Sequence, residues 1–192
     1  MAKIELKAVA HSYSPAVKEQ EYALKKCSLI WKDGGRYAVL GPSGCGKTTM
    51  LNIMSGLVKP SEGLISFDGF DVTNISTSER NIAQVFQFPV IYNTMTVAQN
   101  LGFPLLCRNY SKDVISKKIN QVAQTLGLED LLDLRATKLT ADQKQLISLG
   151  RGLVREDVAA ILMDEPLTVI DPDLKFRLRR RLKEINELYK ST

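Results

Sequence analysis

Residues 41–49 read Gly41-Pro42-Ser43-Gly44-Cys45-Gly46-Lys47-Thr48-Thr49. They fit the phosphate-binding loop pattern G-x-x-x-x-G-K-S/T without a mismatch. The flanks agree. Arg36-Tyr37-Ala38-Val39-Leu40 reads as a short apolar strand before the loop. After it, Met50, Ile53, Met54 and Leu57 recur at helical spacing. Glycines in such a loop let the backbone curl until consecutive N–H groups point at phosphate oxygens. The helix N-terminus adds partial positive charge. In this pattern Lys47 reaches the β- and γ-phosphates of a nucleotide, and the Thr48 hydroxyl ligates magnesium.

A second stretch completes the site. Val158 to Met163 is an unbroken apolar run, as in a strand covered on both faces, and it ends in Asp164-Glu165-Pro166. Two carboxylates in a turn would mean little alone. Downstream of an intact phosphate loop they form a Walker B arrangement. Asp164 at the strand's end is placed to hold magnesium through its water shell. Glu165 is placed to polarise a water in line with the γ-phosphate.

The 192 residues suit one domain with a real core, and 44% hydrophobic with 24% charged is ordinary for a globular chain. The net charge is +5. Its excess gathers at Arg177, Arg179, Arg180, Arg181 and Lys183, alternating with Leu178, Leu182 and Ile185, and reads as a solvated basic helix face. No nucleic-acid partner is expected. Cys27, Cys45 and Cys107 show no disulfide or metal spacing and read as free thiols in a reducing compartment. No apolar run reaches the ~18 residues of a membrane span. The start Met1-Ala2-Lys3-Ile4-Glu5-Leu6 lacks a signal-peptide core.

Along the chain, residues 3–33 read as strands, with Ile4, Leu6 and Ala8 alternating and Tyr22 to Trp31 extended. Leu64 to Phe67 followed by Asp68-Gly69 is a strand with a turn. Helical periodicity begins near residue 95. It covers Thr96 to Leu101 and then Ser111 to Leu126, with Val114, Ile115, Ile119, Val122, Ala123 and Leu126 on one face. Leu139 to Val154 and Arg177 to Leu188 are also helical in pattern. The expected fold class is α/β. It has a mixed central sheet around the phosphate loop, an antiparallel β edge and a helical subdomain inserted at about 88–155.

These motifs together resemble the nucleotide-binding subunit of an ATP-binding cassette (ABC) transporter, over essentially the whole chain. Val85-Phe86-Gln87 is similar to the family's Q-loop. The resemblance implies that Gln87 reaches the magnesium and the nucleophilic water and senses the transmembrane partner. It places Tyr13 as the aromatic that stacks on adenine and Asp171 as the D-loop aspartate. Leu139-Thr140-Ala141-Asp142-Gln143 stands at the signature position. Phe86-Gln87, Met95-Thr96-Val97, Asn100 and Phe103-Pro104-Leu105 resemble importers of the maltose and glycerol-3-phosphate type. The implied activity is ATP hydrolysis coupled to import of a carbohydrate or polyol. The implied cofactors are ATP and magnesium. The implied partners are permease subunits, a second nucleotide-binding subunit and, indirectly, an extracytoplasmic solute-binding protein. The implied place is the cytoplasmic face of the membrane.

Two departures matter. The family signature is L-S-G-G-Q. Here Thr140 keeps a hydroxyl and Gln143 is retained, but Ala141 adds a Cβ where backbone must approach phosphate, and Asp142 brings charge that repels a polyanion. The family's switch histidine has no counterpart, since the one histidine is His11. The chain is expected to be a piece of a longer protein, because stopping before a core strand leaves an unpaired sheet edge. A dimer with two unlike ATP sites is expected. The alternatives are a soluble ABC ATPase of translation or repair, and a regulatory subunit that binds ATP with little hydrolysis. A GTPase is disfavoured because no Asn-Lys-x-Asp tetrapeptide occurs.

Overall fold

The computed structural model describes residues 2–14, 22–168, 170–173, 175–176, 178 and 180. The expected closing helix at 177–188 and most of its basic run lie outside the described residues. The chain divides into two compact units, residues 1–83 with 157–164 and residues 84–156 with 165–192.

The first unit is built on an antiparallel sheet. Strands β1 (Ile4–His11), β2 (Leu24–Trp31), β3 (Glu62–Phe67) and β4 (Phe70–Asp71) run in the order β2-β1-β3-β4. Leu6 stands opposite both Leu29 and Ile65. The alternation expected through Ala8 fails. Ala8 takes a φ of 51° and faces solvent, while Val9 and Ala10 are buried. The register shifts on both neighbouring strands at this point, so Ala8 is the extra residue of a bulge, which resets the inward face. Asp68 and Gly69 both have positive φ, 50° and 85°, as the two-residue turn of the β3–β4 hairpin requires.

Helix α1 (Lys47–Ser55) presents Met50, Ile53 and Met54 to a core formed with Leu6, Val9, Leu24, Ile65, Phe67 and Leu162. Each such side chain contributes about 1.5–3 kcal/mol by leaving water. Gly56 ends the helix with a φ of 84°, which leaves Leu57 beyond it and 53% exposed. Arg80 secures that end. Its buried guanidinium donates to the carbonyls of Ile53 (2.7 Å), Met54 (3.1 Å), Thr73 (3.0 Å) and Ile75 (3.0 Å). A cation there also complements the negative end of the helix.

The strand expected at Arg36 to Leu40 does not form. These residues carry no strand pairing, and Leu40 is 89% exposed. A strand needs a hydrogen-bonded neighbour. This segment turns back locally instead. Tyr37 Oη accepts from the Lys32 amide at 2.8 Å, and its ring meets Trp31 edge-on.

A second sheet pairs β5 (Ile82–Val85) with β6 (Ala160–Met163). Strand β6 is shorter than the apolar run Val158 to Met163, and only Leu162 of its four residues is fully buried. Every residue of β6 is buried or half-buried, and Val158 before it is buried.

Helices of the second unit include α2 (Val97–Leu106), α3 (Lys112–Leu126) and α4 (Ala141–Leu153). Thr96, Ser111 and Thr140 are their N-caps, each accepting a backbone N–H. The three pack around Gly150, where a Cβ would lie 2.5–3.1 Å from Leu101, Leu126 and Val122. The expected apolar face of α3 is buried at Val122, Ala123 and Leu126, while Val114 at its start is exposed. No helix among the described residues is long and apolar enough to cross a membrane.

Candidate nucleotide site

The phosphate loop turns through Ser43 and Gly44 and opens directly into α1. Gly44 and Gly46 have φ of 80° and 90°. Gly46 is the N-cap of α1, and a Cβ on it would stand 2.4 Å from the Ala23 carbonyl oxygen. Both the left-handed backbone and the lack of space demand glycine there. Gly46→Ala is expected to destabilise the protein by about 2 kcal/mol or more, from the φ cost plus the overlap. Urea unfolding checks this. A wild-type midpoint would mean that the backbone at Ala23 yields.

Lys47 folds back over the loop. Its Nζ donates to the carbonyls of Gly41 (2.9 Å) and Pro42 (3.0 Å) and lies 3.9 Å from Cys45 Sγ. The ammonium thus sits among the loop's own backbone, where the pattern places phosphate oxygens. An open cavity of about 640 Å³ borders the loop, walled by Pro42 to Lys47 with Leu24, Lys26 and Val39. All three cysteines are free, and Cys45 and Cys107 are exposed.

Thr48 Oγ1 donates to Asp164 Oδ2 at 2.7 Å, across 116 positions of sequence. Asp164 follows β6 directly and is buried. A hydroxyl and a carboxylate side by side are hard oxygen donors, and they fit a magnesium ion that takes its other ligands from water and phosphate. Thr49 is buried, and its Oγ1 lies 3.4 Å from Tyr13 Oη. Tyr13 is 63% exposed and does not wall the cavity. Its ring meets His11 edge-on at 4.6 Å. His11 is itself buried, with Nδ1 3.2 Å from Ser61 Oγ, and burial holds its pKa below the usual histidine value.

The remaining candidates fall in the second unit. Gln87 is half-buried in the bend after β5. Glu165 has a φ of 44°, rare for a residue with a Cβ. Pro166 keeps the residue before it out of right-handed helical geometry. The Thr168 hydroxyl donates to Glu165 Oε2 at 3.2 Å, and the Thr168 amide to the Glu165 carbonyl at 3.1 Å. Asp171 accepts from the Asp173 amide at 3.0 Å, with Pro172 beginning the next helical segment. Asp–Pro is a favoured helix opening.

The signature region is closed upon itself. Thr140 Oγ1 accepts from the Gln143 amide at 3.3 Å, and Gln143 Oε1 accepts from the Thr140 amide at 3.0 Å. This capping box engages the two polar signature groups that the sequence retains. Asp142 in the first turn adds a negative charge to the positive end of α4. Sequence reasoning assigned no buried hydrogen-bonding role to Arg80, Asn100 or Gln145, all of which are buried. Asn100 holds the turn before α2 through Tyr92, Met95 and Thr96.

A glycine loop opening onto a helix, a lysine folded over it and a strand-end carboxylate against its threonine define a P-loop nucleotide-binding cassette. The ABC transporter domain pattern matches residues 24–168, and the chain belongs to the ABC transporter family. The sn-glycerol-3-phosphate import ATP-binding protein UgpC 1 of Rhizobium etli is 37% identical over 192 residues, covering 100% of this chain and 54% of that protein. The trehalose/maltose import ATP-binding protein MalK of Thermococcus litoralis is 40% identical over 169 residues, covering 85% and 45%. The chain thus spans about half the length of the curated relatives it matches. A dimeric ATP-binding cassette in a post-hydrolysis state, bound to ADP and Pi, superposes with a TM-score of 0.83 at 29% identity, covering 96% of this chain and 83% of that one. The α/β cassette fold is therefore that of the family.

Proposed function

We propose that this chain is the nucleotide-binding motor of an ABC importer for a carbohydrate or polyol. The observation that carries it is the 2.7 Å bond from Thr48 to Asp164 beside Lys47, on a chain whose relatives are named import ATP-binding proteins. In this reading Lys47 and the loop amides of residues 43–48 hold the β- and γ-phosphates of ATP. Thr48 and Asp164, with Gln87 as the family resemblance implies, would hold magnesium, which would supply neutralising charge. Tyr13 stacks on adenine. Glu165, peptide-bonded to Asp164, accepts the proton of the water that attacks the γ-phosphorus as the bond to ADP breaks. Gln87 and the helices at 88–155 pass closure to transmembrane permease subunits at the cytoplasmic face. A solute-binding protein delivers the solute outside. Thr140, Gln143 and Asp171 face a second nucleotide-binding subunit.

The Cβ of Ala141 and the charge of Asp142, beside an otherwise intact phosphate loop, favour a dimer with unlike sites. This chain's loop works against a partner's intact signature, and its own signature contributes weakly. The test is ATP hydrolysis by the full-length protein with magnesium, alone and with a second nucleotide-binding subunit. Activity that needs the partner is the expected result. Brisk activity alone contradicts unlike sites. Restoring the signature by Thr140→Ser, Ala141→Gly and Asp142→Gly is expected to raise homodimer turnover roughly tenfold or more, by removing the Ala141 Cβ and the Asp142 charge from the approach of the phosphate. No rise would clear the signature as the limiting element.

A further inference from the structure

Gln145 lies on α4, two residues past the signature, and is fully buried. Its Nε2 donates to the Phe86 carbonyl at 3.1 Å and to the Pro166 carbonyl at 2.9 Å. These two acceptors fix the amide's orientation, since rotating it would set its oxygen against two other oxygens. Phe86 is the residue before Gln87, and Pro166 is the residue after Glu165.

We propose that Gln145 is a positioning residue for hydrolysis: one side-chain amide, mounted on the signature helix, fastens together the two backbones that carry Gln87 and Glu165. This rests on the motor reading above.

The cost of the arrangement supports it. Gln145 Oε1 is buried with no hydrogen-bond partner. Its neighbours Leu146, Ile147 and Leu149 are buried and apolar. An amide half-satisfied in such surroundings is a poor choice for packing alone. What it supplies is a donor pair that spans two loops which β5 and β6 do not themselves tie beyond their ends. Both loops are irregular where they are fastened: Phe86 and Gln87 lie outside any strand, and Glu165 has its positive φ. Misplacing either side chain by about 1 Å would slow the reaction without touching the phosphate loop.

The test uses the full-length protein with its partner subunit and Gln145→Met, which keeps the volume and removes the donors. Gln145→Asn, which keeps an amide one methylene too short to reach both carbonyls, stands beside it. ATP affinity, kcat and KM are measured with magnesium, together with hydrogen exchange at residues 86–88 and 165–168. We expect kcat to fall roughly 10- to 100-fold with ATP affinity within about twofold of the parent. Exchange should quicken at both segments together. Turnover like the parent's, or equal losses in affinity and kcat, would overturn the proposal. A parent that hydrolyses no ATP removes the motor reading, and exchange then decides the fastening: quicker at both segments sustains it, unchanged refutes it.

Discussion

Lys47→Ala is expected to weaken ATP binding by about a hundredfold or more. A charge-assisted contact to phosphate contributes roughly 1.5–3 kcal/mol, and each ~1.4 kcal/mol is tenfold in affinity. The structure adds a second loss. Lys47 Nζ also bonds the carbonyls of Gly41 and Pro42, so alanine removes the tie that shapes the loop before the nucleotide arrives. Titration calorimetry with ATP and magnesium measures the change, with a melting curve to show that the fold persists. Unchanged affinity would remove these residues from the nucleotide site.

Glu165→Gln should leave ATP binding nearly intact and cut hydrolysis by roughly 10²–10⁴, the range that a general base contributes. The substitution is close to isosteric. Glutamine keeps an oxygen for the Thr168 hydroxyl and the same backbone demand at φ 44°. What it loses is the ability to take a proton from water. Glu165→Gly separates chemistry from strain, because glycine adopts positive φ freely. That variant should melt no earlier than the parent by backbone cost alone, yet be as slow. Persistent turnover in Glu165→Gln would assign the proton elsewhere.

The phosphate loop and the strand-end carboxylates were legible because their chemistry is local. A lysine, a hydroxyl and glycines at fixed spacing serve one ligand, whatever surrounds them. Ser111 was legible as a helix start for the same reason, and the structure makes it the N-cap of α3. Features decided by distant partners were not. The bulge at Ala8 depends on two neighbouring strands and on Gly63, whose Cβ would strike the Ala8 carbonyl at 2.4 Å. Arg36 to Leu40 has strand composition, but pairing is a property of neighbours, and none is present among the described residues. Gln145 looks like one more polar residue on an amphipathic helix. Only the fold shows that it is buried between carbonyls 59 positions before it and 21 after it.

The press of Gly46 against the Ala23 carbonyl has a bearing on engineering. Gly46 itself offers no room for redesign, so libraries that vary it would yield mostly misfolded protein, whereas Gly44 meets no atom within 4 Å of its Cβ position. If Tyr13 stacks on adenine as proposed, attempts to retune which base is accepted should begin there instead. Its ring is largely open to solvent, and its hydroxyl contact to Thr49 is long at 3.4 Å, so swaps there disturb little packing.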